Sequence, residues 1–245
     1  PGGRWKRDGE YGAFLDWPTH HNAEAEMAGA QALAVLAIED LRFMAEAMGR
    51  PALAEDALRL LRKMRQVHPD PCGAKSSAAL LALSGLRAPR EMFERSLGMS
   101  GHAGVSTFYG YYMIEAMSAV GEGERALNTV RDYWGGMLDM GATSFWEDFN
   151  LVWTNNAFRI DELPVSGKRD VHGDYGDFCY QGFRHSLCHG WSCGPAAWCI
   201  NRVLGIQPSA VGCKTVTVSP CLDGLEWAEG AMALPTGESV RVRIA

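Results

Sequence analysis

No run of basic residues occurs in this chain, and its net charge is −6. Without a Lys/Arg patch there is nothing to neutralise phosphates, so nucleic acid is excluded as a partner. No apolar run reaches the length of about 18 residues that a membrane span needs. The longest, Ala28 to Ile38, is too short and reads as a buried helix. No apolar leader follows the opening Pro1-Gly-Gly-Arg-Trp5, so no signal peptide is visible. The start reads as the interior of a longer protein, which leaves the compartment open between periplasmic or extracellular and cytoplasmic. The G-x-G-x-x-G, Walker and H-E-x-x-H patterns are all missing. Dinucleotide redox, phosphate and metalloprotease chemistry therefore find little support. The seven cysteines include no C-x-x-C pair and their number is odd. Cys188 beside His189 fits no common zinc spacing. No metal site is expected, and the cysteines are read as mostly buried free thiols.

What is present is ordinary core. At 245 residues and 47% hydrophobic, the chain can bury one large core, or one domain and part of another. The first two thirds read as helices. Asn22 to Met48 is rich in Ala, Leu and Met, with Gly49 and Pro51 as the stop, and its middle is apolar nearly all round. That marks an enclosed inner helix. Ala52 to Val67 carries one stripe, Leu53, Ala57, Leu60, Leu61, Met64 and Val67, with charges opposite. That marks an outer helix with one wet face. Ser76 to Leu86 and Val105 to Val120 are again apolar, while Pro89 to Leu97 and Gly123 to Met140 are amphipathic. Inner and outer types alternate, joined by short Gly/Pro turns. The alternation suits a toroid of helical hairpins, and the lack of a fixed repeat weighs against a regular solenoid.

Residues 141–184 lose the helical period and read as an ordered functional loop. Ser186 to Leu204 reads as one more inner helix. Beyond Pro208 the pattern becomes period two, in Lys214 to Ser219 and Ser239 to Ile244. Residues 209–245 read as the start of a small β-sandwich.

The chemistry is sought in Gly141-Ala-Thr-Ser-Phe-Trp-Glu-Asp-Phe-Asn150. Glu147 lies among Phe145, Trp146, Phe149 and Trp153, where rings can stack on sugar faces. The plain alternative is a helix-start carboxylate. A second cluster is Phe183 to Trp191. His185 and His189 are four apart and share a face if a helix has begun there, with Ser186 as its cap. A third is Phe14-Leu-Asp-Trp-Pro-Thr19 with His20 and His21, where Asp16 and Trp17 form a possible sugar clamp or an ordinary turn. Tyr109, Tyr111 and Tyr112 favour core packing. Asp170, Asp174 and Asp177 around His172 and Gly173 favour turns over a cation site.

Several of these segments together resemble glycoside hydrolase family 78, the α-L-rhamnosidases. They are Gly141 to Glu147, Ser186-Leu-Cys-His-Gly-Trp-Ser-Cys-Gly-Pro195, Val203-Leu-Gly-Ile-Gln-Pro208 and Phe14-Leu-Asp-Trp-Pro18. The resemblance covers nearly the whole chain and matches the C-terminal half of that family. It implies a mainly α fold, a partial (α/α)6 six-hairpin barrel over residues 1–208, and the beginning of a C-terminal β-sandwich over 209–245. It implies inverting hydrolysis of terminal α-L-rhamnose without a cofactor, on a rhamnosylated glycan or glycoside. Glu147 would be the general base and His189 would line the sugar site. Asp16, Trp17 and Trp146 would help form that site. The family's general acid is a Glu in an acidic, Arg-containing motif that is not found here. The resemblance therefore implies a partner in the missing N-terminal part of the same protein, and little activity from residues 1–245 alone. Other readings are a different helical-barrel glycosidase, a polysaccharide lyase using His185 or His189 with Tyr109, or a glycan-binding relative without catalysis.

Overall fold

A computed structural model describes residues 3–4, 14–170 and 186–245. His172, Gly173, Asp174, Asp177 and His185, singled out above, lie outside the described residues, as does Cys179. The chain is mainly helical with small antiparallel sheets. It divides into two compact units, Pro1–Gly121 and Glu122–Ala245.

In the first unit α1 (Ala23–Ala47), α3 (Lys75–Leu83) and α5 (Tyr109–Ala119) form an inner row, α1 against α3 and α3 against α5. α2 (Pro51–Met64) packs on α1. α4 (Pro89–Met92) continues as a π-helical turn, Phe93–Leu97, that packs on α3 and α5. The starts follow from local chemistry. Asn22 Oδ1 accepts from Ala25 N at 3.1 Å, and Glu24 and Glu26 sit at the positive end of the α1 dipole. Pro51 and Pro89 open α2 and α4 with no N–H to orphan.

α3 is enclosed from Lys75 to Ala82, as an inner helix should be. Two expectations fail in detail. α1 is buried along Ala25, Ala28, Gly29, Ala32 and Val35, but Leu33, Leu36 and Ala37 face an open groove of about 510 Å³ beside Tyr111 and Tyr112. Its apolar middle is not covered on every side. On α2 the buried stripe is Ala54, Ala57, Leu61 and Met64, while Leu53 and Leu60 are exposed. The stripe is turned toward the small Ala54, which lets α2 approach α1 closely.

In the second unit α6 (Gly123–Thr129), a π-helical turn (Val130–Trp134) and α7 (Gly135–Asp139) make one continuous run. It buries Ala126, Leu127, Tyr133, Trp134 and Met137. α8 (Gly194–Trp198) runs into a third π-helical turn, Cys199–Val203. The long helix expected from Ser186 is thus a short one starting at Gly194. Gly190 and Gly194 weaken helix propagation, and Pro195 fits only a helix's first turn. β1 (Ile206–Pro208) pairs antiparallel with β2 (Val216–Val218). β3 (Ala228–Ala233) pairs antiparallel with β4 (Ser239–Ile244), Ala228 opposite Ile244. Gly205 joins the last helical turn to β1 with φ +65°, and a Cβ there would lie 2.0 Å from the Ser219 carbonyl oxygen.

The cysteines among the described residues are free, as expected, but half-buried or exposed rather than buried. They sit largely in turns and loops; Cys72 and Cys213 even take positive φ. Among the described residues no helix is long and apolar enough to cross a membrane. Nor is any group of three or more His, Cys, Asp and Glu placed to hold a metal ion.

Candidate active site

Glu147 lies on an irregular segment that follows α7. Gly141, at φ +90°, turns the chain out of that helix. From Ser144 to Glu147 the segment is fastened to residues 186–192. Glu147 N donates to the Ser186 carbonyl, and His189 N to the Phe145 carbonyl, both at 2.8 Å. Ser144 Oγ donates to the Leu187 carbonyl, and Ser192 Oγ to the Trp146 carbonyl. Trp134 Nε1, from the preceding helical run, donates to the Ser192 carbonyl at 3.0 Å.

This fastening presents one carboxylate. Ser186 N donates to Glu147 Oε2 at 2.8 Å, and His189 Nδ1 stands 3.8 Å from the same oxygen. The Glu147 side chain is 16% exposed and that of His189 33%. A half-sheltered carboxylate held by a main-chain N–H can take a proton from a water beside it. An imidazole at its side can donate to or accept from a hydroxyl.

His189 reaches Glu147 by a different route from the one the sequence implied. It is extended, φ −121° and ψ 113°, ahead of a 3-10 turn at Gly190–Ser192, and is not on a helix. The shared helix face with His185 therefore does not exist at His189. Ser186 caps no helix either; its Oγ accepts from Cys188 N at 3.2 Å in a tight turn.

The aromatic setting also differs. Trp146, Phe149 and Trp153 are no more than 3% exposed and pack edge to face, with Tyr133 alongside Phe149. Their faces are spent on one another and on the core. Trp146 N points at Met137 Sδ, 3.3 Å away. The ring that does stand at the site is Trp191, half-buried, 4.6 Å from the His189 ring, with Nε1 donating to the Glu147 carbonyl at 2.9 Å. Trp191 closes the second sequence cluster, where it carried no assigned role. Its signal was an indole beside Gly190, next to a polar residue already under suspicion.

In the first unit Asp16 and Trp17 lead into α1. Asp16 is 5% exposed. Its Oδ1 accepts from Thr19 N at 3.0 Å and its Oδ2 from Ser106 Oγ at 2.8 Å. Thr19 Oγ1 in turn meets Ser76 Oγ at 2.7 Å. Asp16 thus ties together the approaches to α1, α3 and α5. Burial pushes its carboxyl above the usual range, against the pull of the Thr19 and Ser106 hydrogen bonds. Tyr109, 4% exposed, is likewise pushed up by burial and by the Asp16 charge. Trp17 is half-buried, edge to face with Phe14 at 5.0 Å and His20 at 6.0 Å.

No family model matches this chain, and no curated protein matches it. Solved structures do. A family 78 rhamnosidase of Bacillus sp. GL1 overlays 92% of the chain with a TM-score of 0.63 at 22% identity. The native α-L-rhamnosidase of Aspergillus terreus overlays 95%, with a TM-score of 0.67 at 13% identity. The Streptomyces avermitilis α-L-rhamnosidase, solved with L-rhamnose, overlays 99%, with a TM-score of 0.66 at 19% identity. The chain folds like one segment of an α-L-rhamnosidase. It spans 23%, 26% and 23% of those three rhamnosidases. The resemblance read from Gly141 to Glu147 and Ser186 to Pro195 thus extends to the three-dimensional fold of nearly the whole chain.

Proposed function

We propose that this chain supplies the general-base part of an inverting α-L-rhamnosidase. The observation that carries the reading is Glu147 Oε2, held by Ser186 N at 2.8 Å with His189 Nδ1 3.8 Å away, in a rhamnosidase-like fold. Glu147 takes a proton from a water as that water attacks the anomeric carbon on the face opposite the leaving group. Inversion turns an α-L-rhamnoside into β-L-rhamnose. The partner acid would stand roughly 6.5–9.5 Å from the base, leaving room for the water. We assign that acid to a part of the protein outside this chain, since the chain spans only about a quarter of the solved rhamnosidases.

We assign His189 to sugar contact beside Glu147; for Trp17 the family resemblance alone supports a sugar-contact role. Asp16 and Trp146 are buried, and we assign them to holding the backbone beneath Trp17 and Glu147. Alternating inner and outer helices support a partial (α/α)6 barrel over residues 1–208, and the paired strands support a β-sandwich segment over 209–245. The lyase alternative fares worse, because Tyr109 is 4% exposed and its ring packs against Phe108 and Tyr112.

The test is hydrolysis of p-nitrophenyl α-L-rhamnoside by the full-length protein beside its Glu147→Gln variant, with NMR of the first sugar anomer released. Loss of turnover in the variant and β-L-rhamnose from the wild type are expected. Full turnover by Glu147→Gln would overturn the assignment of the base. First release of the α-anomer would overturn inversion.

A further inference from the structure

We propose that Trp191 is the positioning residue that sets Glu147 and His189 against each other. The inference rests on the reading of Glu147 as base.

At 3.8 Å, His189 Nδ1 and Glu147 Oε2 are too far apart for a hydrogen bond to fix their relative orientation. Something else must do so. The Trp191 indole touches both. Its Nε1 donates to the Glu147 carbonyl at 2.9 Å, which fixes the main chain that bears the carboxylate. Its ring stands 4.6 Å from the His189 ring at an interplanar angle of 53°, which limits how the imidazole can turn.

The indole is itself held at its root. Its neighbour Ser192 is fully buried, donates through Oγ to the Trp146 carbonyl, and accepts Trp134 Nε1 on its own carbonyl. The 3-10 turn carrying Trp191 is thus fixed to the same segment as Glu147. A single rigid side chain spans the pair and couples them.

The two contacts separate by substitution. Trp191→Phe keeps an aromatic face toward His189 and removes the N–H. Trp191→Ala removes both. Kinetics on p-nitrophenyl α-L-rhamnoside with the full-length protein read the difference, with Glu147→Gln as control. Trp191→Phe is expected to lower kcat about tenfold, the rate equivalent of one net hydrogen bond, with KM nearly unchanged. Trp191→Ala is expected to lower kcat further and to raise KM, because His189 loses its support. A purely structural role would lower active-enzyme concentration and leave KM alike in both variants. If both variants keep wild-type kcat and KM while Glu147→Gln is dead, the positioning role is overturned and the base assignment stands. If Glu147→Gln is fully active, the base assignment falls, and this inference with it.

Discussion

Ser186 and Glu147 hold each other twice. Glu147 N donates to the Ser186 carbonyl and Ser186 N donates to Glu147 Oε2, each at 2.8 Å. The carboxylate is therefore gripped by main chain. Ser186→Ala should leave kcat within about twofold, because the N–H remains. Ser186→Pro removes the donor and should lower kcat by about 10- to 100-fold, the worth of one hydrogen bond to a charged group. Steady-state rates of the two variants check this, and equal rates would break the link between the grip and catalysis.

Asp16 gives a pH dependence with a definite sign. Burial raises its carboxyl above its ordinary value in the folded state. The unfolded chain then ionises first as pH rises, so this group's stability contribution is full below that value. It is lost as pH climbs through the folded pKa. Asp16→Asn cannot ionise. Its stability relative to wild type should improve from pH 4 to pH 7 in urea melts. A relative stability that is flat or falls over that range would contradict the sign.

Trp146 is a core residue by its burial, 1% exposed. Trp146→Ala should cost about 3–5 kcal/mol, as for other large-to-small changes of buried aromatics. Denaturant unfolding measures it. A cost under about 1 kcal/mol would mean the ring is not enclosed in solution.

Gly205 is the third stability test. It combines φ +65° with a Cβ position 2.0 Å from the Ser219 carbonyl oxygen. Gly205→Ala meets both the left-handed penalty of about 1–2 kcal/mol and a clash with backbone that has to move. A drop in Tm is expected, with hydrogen exchange accelerated at Ser219, whose N–H bonds to the Gly205 carbonyl at 3.0 Å. An unchanged Tm would show that the β1–β2 pair shifts freely.

The helices were largely legible because their signals are local. Asn22, Pro51 and Pro89 mark starts, and the stripes on α2 and the Gly123 to Asp139 run mark buried faces. The π-helical turns at Val130–Trp134 and Cys199–Val203 left no mark, since one extra residue per turn hardly changes a hydrophobic stripe. β3 is Ala-Glu-Gly-Ala-Met-Ala, too small and plain to read as a strand; it pairs because β4 offers alternating Val240, Val242 and Ile244 across from it. Glu147 was legible from its motif. The indole that touches it was not, because the contact between Trp191 and Glu147 spans 44 positions and passes through hydrogen bonds to carbonyls. A motif singles out a residue and is silent on the distant residues that hold it in place. Nor does sequence say which rings keep a free face, so Trp146 and Phe149 looked like Trp191 until packing separated them.

The fastening of Ser144 to Glu147 has a consequence for divergence. Main-chain donors and acceptors at Phe145, Trp146, Glu147, Ser186 and Leu187 do much of the holding, and main chain is common to every amino acid except at proline's missing N–H. Side chains at Phe145 and Leu187 can drift without loosening the carboxylate. Selection has only to keep Glu147 and a few anchors such as Trp134 and Ser192. A segment built this way tolerates heavy substitution around it, and variation at those positions carries little information about whether the carboxylate keeps its setting.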